Sequence, residues 1–145
     1  VEFYKLRNSS DHPESIEPYG LLRGDDSRRP AFTAYQVATT YRCDFRTATL
    51  QRQGVVTAVR FDRGDRTTTV VWTNAMRATR VRVRAIAPEA QLITERGDVR
   101  TVRAVGGAYT LDLPAATCTH RPCIIGGAPR LLVQAGTTAL PPLLK

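Results

Sequence analysis

The stretch CDFRTATLQRQGVVTAVRFDRGDRTTTVVWTNAMRATRVRVRAI, residues 43–86, decides the fold class. Within it Arg80, Arg82 and Arg84 alternate with Val81, Val83 and Ala85, the period-two pattern of a strand with one wet and one buried face. Ahead of that strand, the runs 43–52, 55–63 and 66–74 are rich in Val, Thr and aromatic residues, which favour extended backbone. Arg63-Gly64-Asp65 divides two of them as hairpin punctuation does. Downstream the same style continues in runs at 77–86, 90–96, 99–105, 108–114, 123–126 and 129–135, separated in part by Gly97-Asp98 and Gly106-Gly107. Short strands at roughly 8–12-residue spacing belong to sandwiches. The expected architecture is mainly β: an antiparallel β-sandwich of about eight or nine strands over 43–135.

Upstream of residue 43 the style changes. VEFYKL (1–6) is apolar on both faces, as in a strand covered by helices on both sides. RNSSDHPESIEPYG (7–20) is a polar loop, and LLRGDDSRRP (21–30) holds a turn and a helix start at Pro30. AFTAYQVATTY (31–41) then predicts a helix with Phe32, Tyr35, Ala38 and Thr39 on one stripe. Residues 1–42 therefore form a short strand-loop-helix segment ahead of the sandwich, and 136–145 reads as a tail.

Length and charge set the outer bounds. The 145 residues suit one domain, which at this size buries about two-thirds of its unfolded surface. With 42% hydrophobic and 23% charged residues, wholesale disorder is excluded. No run approaches the ~18 apolar residues of a membrane-spanning helix. The first residue is Val1, with no basic-then-apolar leader after it, so the expectation is a processed chain or a piece of something longer. The net charge of +8 comes from 19 Arg and only 2 Lys. A basic excess raises the question of a nucleic-acid partner. The arginines are scattered and not interleaved with aromatics, so a solvated surface is the expected reading and no nucleic-acid partner is assigned.

Little catalytic chemistry is visible. Cys43 stands alone, while Cys118 and Cys123 flank His120. A tetrahedral metal site needs a fourth ligand, and the remaining histidine, His12, is distant in sequence, so no metal and no cofactor is expected. Cys118 and Cys123 form either a local disulfide or two reduced thiols. Trp72 shares a strand face with Val70 and is expected in the core, as are Tyr19, Tyr109, Phe45 and Phe61. There is no phosphate-cradling glycine loop and no nucleophile elbow; Gly126-Gly127 lacks the rest of any nucleotide fingerprint. Most carboxylates sit at turns or in the polar loop, and nothing nominates a catalytic pair.

A resemblance adds to this. EFYKLRNS, then IEPYGLLRGDDSRRPAFTAYQ, resembles the end of a (β/α)8-barrel glycoside hydrolase of clan A type, such as families 39 and 51. The matching positions are Tyr19, Gly20, Leu21, Leu22 and Arg23, the turn Gly24-Asp25-Asp26, and Arg29, Pro30, Ala31, Phe32, Ala34 and Tyr35. RTTTVVWTN, YTLDLP and IIGGAPRLLVQ resemble the small antiparallel sandwich that follows such a barrel. The resemblance implies that 1–42 is the last barrel strand and helix, and that both catalytic carboxylates would precede Val1. It also implies that Tyr4, Lys5 and Arg7, at the C-terminal end of a barrel strand, line a sugar subsite in the parent.

The expected function is thus a non-catalytic accessory part of a glycoside hydrolase that buttresses its barrel. The alternatives are a carbohydrate-binding module and a basic nucleic-acid-binding β domain; an enzyme acting alone ranks last. The expected partners are the barrel of the same polypeptide and carbohydrate, with no membrane. A strand cut from a barrel has unpaired edges, so residues 1–20 are expected to pack on the sandwich, pair with another copy or be poorly ordered.

Overall fold

The computed structural model describes residues 6–8, 20–117, 126–137 and 144. Among them are one helix, α1 (Pro30–Arg42), and eight strands: β1 (Thr47–Gln53), β2 (Val56–Asp62), β3 (Arg66–Thr73), β4 (Thr79–Arg84), β5 (Glu89–Thr94), β6 (Val99–Arg103), β7 (Ala108–Leu113) and β8 (Arg130–Ala135). All strand pairs are antiparallel. The mainly β, antiparallel expectation holds.

The two sheets are unequal. Six strands form one sheet in the order β1-β2-β3-β8-β5-β6, and β4 pairs with β7 in the other. The chain crosses to the small sheet after β3 and again after β6, returning each time. Alternation explains the packing. The inward residues Val81 and Val83 of β4 and Tyr109, Leu111 and Leu113 of β7 cover Val56, Ala58, Val71, Ala90, Leu92 and Leu132 of the large sheet. Each large apolar side chain so buried contributes about 1.5–3 kcal/mol. Gln134 is buried in the same layer, and its side-chain oxygen accepts from the Ile86 backbone N–H at 2.8 Å.

The opposite face of the large sheet carries α1. Val37, the buried residue of the helix, and Tyr41 meet Ile93, Leu131, Val70 and Val133. The molecule is therefore a three-layer stack: helix, six strands, two strands. Pro30 opens the helix, as its missing N–H allows. Arg29 precedes it with an extended backbone, and the Arg29 N–H donates to the Leu21 carbonyl at 2.9 Å, linking the preceding turn to the helix start.

Several expectations need adjustment. The 43–52 strand begins at Thr47, because Asp44 takes a left-handed backbone, φ 59°, which turns the chain between helix and sheet. On the helix, the residues packed on the sheet are Val37 and Tyr41. Of CIIG (123–126), Gly126 alone is described and is not in a strand; Cys118 and Cys123 lie outside the described residues, with His12, Tyr19 and His120. Within the expected 136–145 tail, Leu144 is a core residue, packed with β4 and β7. Of the aromatics expected inside, Tyr109 is fully buried, Trp72 and Phe61 are half-buried, and Phe45 is exposed, because it lies in the turn ahead of β1 rather than on a covered strand face.

Candidate functional site

The segment entering the helix is built from two short pieces. Leu6–Asn8 runs parallel to Leu22, joined through Arg7 and Leu22. The Leu22 N–H donates to the Leu6 carbonyl at 2.9 Å, and the Asn8 N–H donates to the Leu22 carbonyl at 3.2 Å. This is a parallel pairing in a molecule whose named sheets are antiparallel. Asn8 is buried, and its side-chain oxygen accepts from the Gly20 N–H at 2.8 Å. A β-carbon at residue 20 would stand 2.5 Å from that oxygen and 2.9 Å from the Leu22 carbonyl, so glycine is the residue that fits. Here the Tyr-Gly-Leu-Leu stretch has a local physical reason.

Of the three expected sugar-lining residues, Tyr4 and Lys5 lie outside the described residues. Arg7 is exposed. Its guanidinium donates to the Gly24 carbonyl at 2.8 Å and lies 3.3 Å from the Asp26 carboxylate, so it braces the 23–28 turn. The same turn is closed by Arg23 donating to Ser27 and by the Ser27 N–H donating to Asp25. That contact with Ser27 holds the Asp25 carboxyl below the usual carboxylate range.

Apolar clefts run along both sides of α1. One, of about 400 Å³, lies between Ala34, Val37 and Ala38 on the helix and Val70, Pro129 and Leu131 on the sheet side. The other, of about 310 Å³, is bordered by Tyr35, Ala38, Cys43, Phe45 and Phe61. Phe45 and Phe61 meet edge-to-face with ring centroids 5.1 Å apart, so they do not form a flat platform. The Arg28 guanidinium sits 4.6 Å from the Phe32 ring centroid at the helix start. Sequence reasoning missed this surface as a unit, because its parts come from the loop, the helix and the β1–β2 hairpin.

Four of the described carboxylates, Asp65, Glu89, Glu95 and Asp112, pair with arginines. Arg80 and Asp112 stand directly opposite each other on β4 and β7 at 2.7 Å; Glu89 and Arg103 do so on β5 and β6 at 2.8 Å. Asp65 pairs with Arg66 at 2.7 Å, and Glu95 with Arg130 at 3.0 Å. The neighbouring arginine lowers the pKa of Asp112 and of Asp65. A general acid at a glycosidic bond requires the opposite shift. Among the described residues no group of three His, Cys, Asp or Glu side chains comes together to hold a metal ion.

No protein-family model and no curated protein matches the chain. Solved structures do. A family 39 glycoside hydrolase from the gut symbiont Bacteroides cellulosilyticus superposes on 89% of this chain with a TM-score of 0.66 and 25% identity, over 25% of its own length. A GH30 endoxylanase from Clostridium papyrosolvens superposes on 83% with a TM-score of 0.61 and 14% identity, over 31% of its own length. The chain thus resembles part of clan A glycoside hydrolases, as its sequence implied, and spans about a quarter to a third of the two enzymes. The endoxylanase, at 14% identity, speaks for the fold alone.

Proposed function

We propose that this chain is the non-catalytic accessory part of a glycoside hydrolase and that it buttresses a catalytic barrel through α1 and the residues around it. The observation that carries this is the two-sidedness of the helix. Val37 and Tyr41 are used on the sheet. Tyr35, two residues before Val37, lies about 160° around the helix axis from it, and Phe32 about 140° in the other direction. Both rings are only half-buried. Exposed Leu6 (59%) precedes the helix and exposed Phe45 (48%) follows it. Exposed and half-buried apolar side chains around the side of a helix away from its sheet suit a partner. A (β/α)8 barrel would supply further neighbours to the Leu6–Asn8 piece, beyond Leu22, and to the side of α1 away from the sheet. In that polypeptide Tyr4, Lys5 and Arg7 line a sugar subsite at the end of the last barrel strand.

The test is hydrogen exchange on this chain alone and on the longer polypeptide of which it forms part. The expected result is strong added protection over 30–42 in the longer polypeptide and no added protection on β4 and β7. Equal exchange of α1 in both would refute the seat. Aryl-glycoside hydrolysis by this chain unaided would refute the non-catalytic role.

A further inference from the structure

The layer farthest from α1 carries a different surface. The outward residues of β4 are Arg80, Arg82 and Arg84, about 7 Å apart in succession. Opposite them on β7 stand Asp112, Thr110 and Ala108. Three guanidinium groups thus face one carboxylate. Arg80 takes it at 2.7 Å, and Arg82 and Arg84 are exposed with no ion pair among the described residues. Arg100 also lies close enough to Asp112 to favour its charged form, so the single carboxylate is shared by cations from both sheets. Beside the row is a cleft of about 540 Å³ with Gln53, Arg80, Arg82 and Thr110 on its walls and buried Val56 and Val81 beneath.

We infer that this face and its cleft bind an anionic saccharide, one carrying carboxylate or sulfate groups. Guanidinium forks take two oxygens of a carboxylate or of a tetrahedral oxyanion at once and are weakly hydrated, so arginines in a row without ion pairs suit such a chain. Gln53 and Thr110 add the hydrogen-bonding groups that sugar hydroxyls need. A nucleic acid fits less well. Single strands are held by base stacking on aromatic rings, and the outward face of β4 and β7 has none; Tyr109 points into the core. The preference for a sugar polymer over a nucleic acid rests in part on the glycoside hydrolase reading. The site itself does not, because it lies on the opposite side of the large sheet from α1.

The experiment is titration of the whole chain at about 50 mM salt with four probes: oligogalacturonate, dextran sulfate, neutral dextran and a single-stranded DNA oligomer. Binding is expected to one or both of the first two, which separates carboxylate from sulfate recognition, and to weaken with added salt. Arg82→Gln should weaken that binding about threefold to tenfold. Arg52→Gln, the same loss of charge on the α1 side of the large sheet, should leave it unchanged. Equal affinity for neutral dextran, tighter binding to DNA, equal losses in both variants, or no binding to either anionic glycan would each overturn the inference. Failure here leaves the barrel seat standing, since that is read at α1.

Discussion

Leu144 forms an antiparallel bridge with Val83 of β4 and is only 4% exposed, although it is the penultimate residue of the sequence. Its N–H donates to the Gln51 side-chain oxygen at 3.2 Å, so one residue ties the large sheet to the small one. Leu144→Ala removes a buried isobutyl group and should cost about 2–5 kcal/mol. A urea titration followed by the fluorescence of Trp72, the sole tryptophan, checks this. An unchanged midpoint would show that the end of the chain is not part of the core.

Tyr109 is 1% exposed, and its hydroxyl donates to the Ala87 carbonyl. Burial, and to a lesser degree the Glu89 charge, raise the pKa of the phenol above its ordinary value near 10. The unfolded chain therefore ionises first. The stabilisation from the neutral phenol is whole below about pH 10 and is lost as pH rises through the folded pKa. Tyr109→Phe should cost about 1 kcal/mol at neutral pH through the orphaned carbonyl. The gap between the two proteins should shrink above about pH 10. A constant gap to pH 11 would contradict this.

Gly126 lies against the Trp72 indole so closely that a β-carbon would overlap the ring and approach the Asn74 side-chain oxygen to 2.9 Å. Gly126→Ala should displace the indole, shift its emission and cost about 1–3 kcal/mol. Gly54→Ala is the comparison: its φ is +57° but nothing stands within 4 Å of a β-carbon there. That change should cost about 1–2 kcal/mol with no spectral shift. An unaltered spectrum in the first variant would disprove the contact.

Local rules carried the strands and most of their turns. The Arg-Val alternation at 79–84 became a strand with alternating burial, and Pro30 became the first helical residue. Long-range packing decided what local rules left open. Phe32, Tyr35, Val37 and Tyr41 spread around α1, so its own periodicity could not say which side meets Ile93 and Leu131. Alternation reads the same in both sheets, so it was silent on a division of six strands against two. Gly126-Gly127 lacks the rest of any nucleotide fingerprint, and local rules gave the pair no other reason. Its reason is contact with Trp72 and with the Pro114 and Ala115 backbone, more than ten residues away. Of the expected site residues, Arg7 is placed at the loop before the helix, while Tyr4, Lys5, Cys118 and Cys123 lie outside the described residues.

The most direct measurement takes the enzyme proposed above, in which this chain accompanies a catalytic barrel, and follows thermal inactivation of its glycoside hydrolysis with residues 43–145 present or deleted. A buttress predicts that deletion lowers the inactivation temperature sharply, or prevents folding, while the fully joined protein cleaves its substrate. The account is contradicted if the deleted form keeps both its hydrolytic rate and its inactivation temperature.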